Sequence, residues 1–341
     1  MSSRYDRELA VALEAVRAAA RVCRSVQAKI TPDVLQKDDR SPVTVADFAS
    51  QAVICRAIGA AFPHDPIIGE EESGTLRREE NAPFLDRVLS ELREIGIETC
   101  GKEACGWIDR ASQKTYVPRF WTLDPIDGTK GFLRKEQYAV SVALVVDGLI
   151  QVALLGCPNL TCEAGGKQTG ALLYAVRGQG SWAVSLEGDG PPRPVHASQE
   201  SDPTQARFCE SVEANHTAQG LAGKVAAALG MTREPRRLDS QAKYAVVARG
   251  EAEIYLRLPA KLGYKEKIWD HAGGVLIVEE AGGKVSDVMG KPLEFNHGFE
   301  LLANRGIVAA NRQLHPRVIA ALEEIYAKFP PPQTIPSPPY C

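Results

Sequence analysis

The sequence predicts an α+β half followed by an α/β half, and three patterns point to it. An amphipathic helix opens the chain, alternating apolar strands fill its middle, and short strands alternate with helices after them. The change of pattern falls at 188–194, which is rich in Gly and Pro. The expected division is therefore 1–190, 191–330 and a Pro-rich tail at 331–341 that does not pack. A chain of 341 residues is long enough for two cores.

The elements follow in order. Leu9, Leu13, Val16, Ala20, Cys23 and Ile30 recur at helical spacings, which predicts a helix over 6–30 with one buried face. A polar stretch ends it, Val43 and Val45 suggest an extended lead-in, and 46–61 read as a second helix with Asp47 in its first turn. An apolar strand at 66–69 runs into Glu70, Glu71 and Glu72, and 79–95 read as polar helix or loop. Strands at 138–146, 149–156 and 171–185 make an antiparallel meander, with Asp147-Gly148 as the hairpin turn between the first two. Beyond the Gly/Pro segment, strands are expected at 206–211, 236–238 and 253–258, and helices at 219–229 and 241–249. Asp270 stands at the start of an apolar helix that Gly282-Gly283 ends, and His315-Pro316 opens a last helix near the C-terminus.

The centre of the chain is Arg-Phe-Trp-Thr-Leu-Asp-Pro-Ile-Asp-Gly-Thr-Lys-Gly-Phe, from Arg119. Its first five residues suit a buried strand, Pro125 biases Asp124 toward an extended backbone, and Gly128 permits a sharp turn before a helix start at Thr129. Two carboxylates beside free helix N–H groups suit a hard cation and a phosphate. A polar turn capped by Asp and Thr would also explain them. The other acids divide in the same way. Asp47 suits a helix dipole, Glu70 a solvated loop and Asp270 an N-cap, unless they converge. Convergence would set unit charges about 4 Å apart at a cost of roughly 4 kcal/mol per pair at a dielectric of about 20. Such a group needs cations or protons, and oxygen ligands favour Mg²⁺ over zinc or copper.

Composition narrows the partners. Forty basic against 43 acidic residues leave a net charge of −3, so recognition of a nucleic-acid duplex is not expected and any phosphate binding must be local. No apolar run is long enough to span a membrane, and the N-terminus lacks the apolar core of a signal peptide. Several Arg there resemble a transit peptide, but Asp6, Glu8 and Glu14 count against one, so a cytoplasmic monomer is the expectation. Eight cysteines form no Cys-x-x-Cys motif; reduced, mostly buried thiols are expected, with a redox pair at Cys100/Cys105 or Cys157/Cys162 as the alternative.

Gly-Glu-Glu from Gly69, Trp-Thr-Leu-Asp-Pro-Ile-Asp-Gly-Thr from Trp121 and Trp-Asp-His-Ala-Gly-Gly from Trp269 occur together in one order. With them the chain resembles, over nearly its whole length, the lithium-sensitive, Mg²⁺-dependent phosphatase superfamily that includes inositol monophosphatase and fructose-1,6-bisphosphatase. Gly273 departs from the Ala of many relatives, a change expected to be minor. The resemblance implies a two-domain layered αβαβα sandwich, lithium inhibition and two to three Mg²⁺ ions. Glu70, Asp124 and the Ile126 carbonyl would form one ion site, Asp124, Asp127 and Asp270 a second, and Asp47 with Glu70 a looser third. Asp47 would accept a hydrogen bond from the Thr129 hydroxyl, so that the two act together on the attacking water, and the Gly128 and Thr129 N–H groups would bind the scissile phosphate.

Ser-Pro-Val-Thr-Val-Ala-Asp from Ser41, Leu-Asp-Ser-Gln-Ala-Lys-Tyr from Leu238 and Tyr-Leu-Arg-Leu-Pro from Tyr255 are similar to the 3′(2′),5′-bisphosphate nucleotidase branch. That branch converts 3′-phosphoadenosine 5′-phosphate to AMP and often accepts its sulfated parent. The resemblance implies that His216, Ser240, Lys243 and Arg257 hold the retained 5′-phosphate. Read alone, Lys243 is an exposed helix lysine and Arg257 a strand-end charge; Lys130 reads as a surface or supporting residue. An inositol polyphosphate 1-phosphatase is the rival enzyme, against which the Leu238 motif argues. A catalytically dead nucleotide sensor would lack an acid or the threonine, and none is missing.

Overall fold

The protein is represented by a computed structural model that describes residues 4–29, 35–36, 42–43, 45–188, 190–212, 219–259 and 263–329. The first half comprises α1 (Asp6–Ala28), β1 (Leu35–Gln36), β2 (Pro42–Val43), α2 (Val45–Ala61), β3 (Ile67–Gly69), α3 (Ala82–Glu94), α4 (Gly101–Asp109) and β4 (Arg119–Asp127). It continues with α5 (Thr129–Leu133), β5 (Ala139–Val146), β6 (Leu149–Thr161), β7 (Thr169–Val176), β8 (Ser181–Ser185) and β9 (Arg193–Val195). Then come β10 (Phe208–Glu210), α6 (Gln219–Ala228), β11 (Arg236–Arg237), α7 (Ala242–Ala248), β12 (Ile254–Arg257), α8 (Ala272–Glu280), β13 (Gly283–Ser286), β14 (Ile307–Asn311) and α9 (His315–Lys328).

Two sheets carry the fold. The first is the consecutive series β3 to β9, parallel between β3 and β4 and antiparallel thereafter. The second has the order β11-β10-β12-β14-β13, parallel around β10 and antiparallel around β14. Alternation along β5 shows how they are covered. Val140, Val142 and Leu144 pack with α1, α2 and α4 residues such as Val16, Ile54 and Ile108, whereas Ala143 and Val145 share a cluster with Tyr244 of α7 and Leu276 of α8. That second cluster also takes Tyr255 and Ala309 from the second sheet, whose opposite face (Ile254, Leu256, Val308) packs on Val225 of α6 and Leu322 of α9. The layers therefore run helix, sheet, helix, sheet, helix: the expected αβαβα sandwich.

Several elements differ from the sequence reading. Residues 171–185 form two strands, because Gly178 and Gly180, both at positive φ, turn the chain between β7 and β8. Helix α4, whose buried face is Ala104, Cys105 and Ile108, and strands β13 and β14 were not anticipated. β4 continues through Asp127, beyond the expected end of the strand, with a register shift between Asp124 and Asp127. Asp270 does not cap α8. It ends a short 3₁₀ turn, Ile268–Asp270, and His271 occupies the cap position without a side-chain cap bond. Asp147 and Gly148 do make the tight β5–β6 turn, at φ 51° and 75°. The division proposed at residue 190 falls just before β9, which still pairs with β8. The tail at 331–341 and His216 lie outside the described residues. Among the described residues no helix is long and apolar enough to cross a membrane. Seven cysteines are free there, with Cys100 exposed and Cys162 intermediate.

Candidate active site

Four chain segments deliver acids to one place, and each is pinned by polar contacts. Glu70 follows β3, where the Gln51 amide of α2 donates to the Glu71 carbonyl at 2.6 Å and accepts from the Glu71 N–H at 3.0 Å. Gly69 is required there, since a Cβ would sit 2.8 Å from the Ala111 methyl. Asp124 and Asp127 flank the register shift in β4. The Ser50 hydroxyl of α2 donates to the Pro125 carbonyl at 2.9 Å, tying the irregular stretch to the helix that carries buried Asp47. The Ile126 N–H donates to Asp124 Oδ1 at 3.0 Å. Asp270 is fixed from behind by Gln241, whose amide donates to the Trp269 carbonyl at 2.9 Å and accepts from the Gly274 N–H at 3.2 Å.

Glu70, Asp124, Asp127 and Asp270 line one cavity of about 280 Å³ together with Ile126, Gly128 and Thr129. The same cavity is also lined by two cations from the second half, Lys243 and Arg257, with Ser240, Tyr255 and Tyr264 beside them. Asp47 is not in the lining; it is buried and close enough for its charge to raise Asp124. Burial pushes the Asp124 carboxyl well above its usual range, and Glu70, Asp127, Asp270 and Asp47 add to the push. Burial also raises Asp127, opposed by Lys243, Arg257 and the Gln241 N–H, which donates to its Oδ2 at 2.5 Å. Asp270 rises for the same reason, opposed by Arg257 at 3.6 Å. A buried group of carboxylates that resist ionisation together is a site that a divalent cation would relieve, and its donors are all oxygen.

The threonine and the clamp differ in detail from expectation. Thr129 opens α5 behind Gly128, which stands at φ 87°, and its hydroxyl donates to the Ile126 carbonyl at 3.3 Å. Lys243 is buried rather than exposed, at 4% accessibility, and burial lowers its pKa. Its ammonium donates to the carbonyls of Ser240 at 2.7 Å and Leu238 at 3.3 Å. Arg257 is held by Glu266 at 2.7 Å. Burial alone would raise Glu266, but the guanidinium and a hydrogen bond with His271 outweigh it and hold the acid at about 2. Glu266, Asp270 and His271 form the one group of metal-type ligands within 4.8 Å of one another among the described residues. The Arg257 pairing and the Tyr244 hydroxyl on His271 Nδ1 at 2.8 Å account for two of its members as scaffold.

Gly273 is a larger departure than the sequence suggested, because a Cβ would meet Ser141 Oγ at 2.4 Å and Leu155 at 3.0 Å. Sequence reasoning also passed over Asp239, Gln241, Tyr255, Tyr264 and Glu266. Asp239 and Gln241, flanking Ser240, and Tyr255, which opens Tyr-Leu-Arg-Leu-Pro, lay inside singled-out motifs without being given a role. Lys130 is exposed and borders the cavity.

Comparison with known proteins agrees with this architecture. The inositol monophosphatase family pattern matches residues 4–327. The chain is 43% identical over 346 residues to a 3′(2′),5′-bisphosphate nucleotidase of Schizosaccharomyces pombe, covering 96% of this chain and 98% of that protein. It is 40% identical over 340 residues to the protein of that name from Oryza sativa, covering 94% of each. Among solved structures, the Thermotoga maritima IMPase has a TM-score of 0.65 at 20% identity, covering 94% of this chain and 99% of that one. The inositol monophosphatase from Anabaena has a TM-score of 0.63 at 23% identity, covering 94% and 97%. In sequence and in layer order alike, this chain belongs to the inositol monophosphatase family.

Proposed function

We propose that the protein is a metal-dependent phosphatase that hydrolyses the 3′-phosphate of 3′-phosphoadenosine 5′-phosphate, giving AMP and phosphate, and also accepts the sulfated parent. One observation carries the reading: a single cavity is lined both by Glu70, Asp124, Asp127 and Asp270 and by Ser240, Lys243 and Arg257. A substrate with two phosphates needs a cation site for the one it loses and a cationic clamp for the one it keeps. The nucleotidase relatives at 40–43% identity support the same substrate.

Glu70, Asp124, the Ile126 carbonyl, Asp127 and Asp270 would hold two Mg²⁺ ions, with Asp47 and Glu70 available to a third. The ions would supply Lewis acidity at the ester oxygens and neutralise the acids. The remaining work falls to the chain. The Gly128 and Thr129 N–H groups face the scissile phosphate from the start of α5, where unpaired donors favour an anion. The Thr129 hydroxyl orients the attacking water, and Asp47 drives it, since a hydroxyl is a poor base without a carboxylate. Ser240, Lys243 and Arg257 hold the 5′-phosphate, and His216 is the fourth proposed contact. We take the protein to be a cytoplasmic monomer with most of the metal ligands in a half at 1–190 and the substrate clamp in a half at 191–330, inhibited by lithium.

Rates measured side by side with 3′-phosphoadenosine 5′-phosphate, inositol 1,4-bisphosphate and fructose 1,6-bisphosphate test the assignment. The nucleotide should be preferred by kcat/KM; equal or faster hydrolysis of the inositol ester would overturn it.

A further inference from the structure

The segment 238–241 between β11 and α7 is where the second half reaches the acids of the first. Its conformation is imposed. Ser240 sits at φ 67°, a left-handed value unusual for a residue with a side chain. Its Cβ lies 2.8 Å from where a Cβ on Gly128 would be. The next residue, Gln241, donates its N–H to Asp127 Oδ2 at 2.5 Å, and Lys243 donates to the Ser240 carbonyl at 2.7 Å. A single stretch of backbone thus touches both the proposed metal acids and the proposed phosphate clamp.

Something must hold that stretch from outside. Asp239 is only 4% exposed, and its carboxylate pairs with Arg134, just past the end of α5, at 2.5 Å. Gly131 makes room for this contact. A Cβ there would meet the Gln137 carbonyl at 2.3 Å and Asp239 Oδ2 at 2.8 Å. Arg134 also binds Glu136 at 2.7 Å, so its guanidinium is oriented from the solvent side. Arg134 does not line the cavity, so it acts on the site through Asp239.

We propose that Arg134 and Asp239 are a positioning pair that holds Ser240 and Lys243 in register with Asp127 and Thr129. The pair couples grip on the retained phosphate to the reacting end of the cavity. This rests on the reading that Ser240 and Lys243 hold that phosphate. A buried carboxylate clamped by a half-exposed arginine fixes one geometry, whereas a loop without it samples several.

AMP keeps the 5′-phosphate and lacks the scissile one, so it is the probe. It is titrated calorimetrically into the Mg²⁺-loaded protein, alongside KM and kcat for the bisphosphate. Arg134→Ala and Asp239→Asn should each weaken AMP binding about tenfold, a typical coupling between linked sites. KM should rise in parallel, with kcat falling less than about threefold. The double variant should lose no more than either single one. Arg134→Lys should fall between parent and Arg134→Ala, and Glu136→Gln should bind AMP like the parent. If the alanine or asparagine variant does not fold, the lysine and glutamine variants still decide. AMP affinity at the parent value in Arg134→Lys, or Glu136→Gln weakened as much as Arg134→Lys, would refute the pair. So would single-variant losses that multiply in the double variant. Failure of the parent itself to bind AMP would refute the nucleotide reading instead.

Discussion

Replacing Asp124 by Asn should make the metal-free protein more stable while removing its response to Mg²⁺. The structure sets the sign. Asp124 is 2% exposed, and its charge is opposed by burial and by Glu70, Asp127, Asp270 and Asp47. Asparagine keeps an oxygen for the Ile126 N–H, now 3.0 Å away, and discards the charge. A like-charge neighbour at about 4 Å costs roughly 4 kcal/mol at a dielectric of about 20, and partial protonation reduces what is recovered. A gain of about 1–4 kcal/mol follows, which in a chain of this size is several degrees of melting temperature. Melting curves in EDTA and in saturating Mg²⁺ measure both effects. The pH dependence has the same origin. With folded pKa values raised, the acids' stabilising contribution is full below about pH 4 and lost as pH rises through the folded values. Parent protein in EDTA should therefore lose stability with rising pH more steeply than the variant. Asp124→Asn melting at or below the parent in EDTA, or keeping the parent's Mg²⁺ shift, would sink the argument.

If Asp47 and Thr129 act as the proposed unit, Asp47→Asn and Thr129→Ala should each cost about as much activity as the double replacement; losses that multiply would exclude the dyad. Lys243→Met should raise KM for the bisphosphate at least about tenfold and also lower the melting temperature, since it leaves the Ser240 and Leu238 carbonyls without their donor and Asp127 without a cation that opposes its rise. An unchanged KM would remove Lys243 from the clamp. Burial, helped by Lys284, pushes the His315 ring down to about 4. The folded state then resists protonation, so this contribution is full above about pH 6.5 and is lost as pH falls toward 4. His315→Gln should flatten the fall in melting temperature between about pH 7 and 5; an identical slope would assign the fall to other groups. Gly273→Ala should cost about 1–3 kcal/mol, as over-packing does, because the new methyl displaces Ser141 from Gln241. A parent-like melting curve would show that the contact relaxes freely.

Elements with strong periodicity were legible in the sequence. The first helix, the β5–β6 hairpin and α9 all stand where apolar spacing and turn residues put them. Helix α4 was not, because only Ala104, Cys105 and Ile108 of its short length are buried, too few to announce a period. β14, buried at every position, shows no alternation to read, and β13 is only four residues long and opens on the Gly283 that reads as a helix end. At the site the acids were legible as turn-flanking residues, but nothing local showed that they meet. The burial of Lys243 was equally hidden, since its cover comes from segments far away in the chain. Glu266 and Asp239 were invisible for the same reason: each is defined by an arginine on another element.

The irregularity in β4 has a consequence of parity. Residues three apart on a regular strand point to opposite faces, yet Asp124 and Asp127 both open on the same cavity. Three steps of β4 lie against two of β5, from Ser141 to Ala139, and that surplus residue rephases the second acid. Inserting or deleting a residue between the two acids would therefore turn one of them into the protein interior.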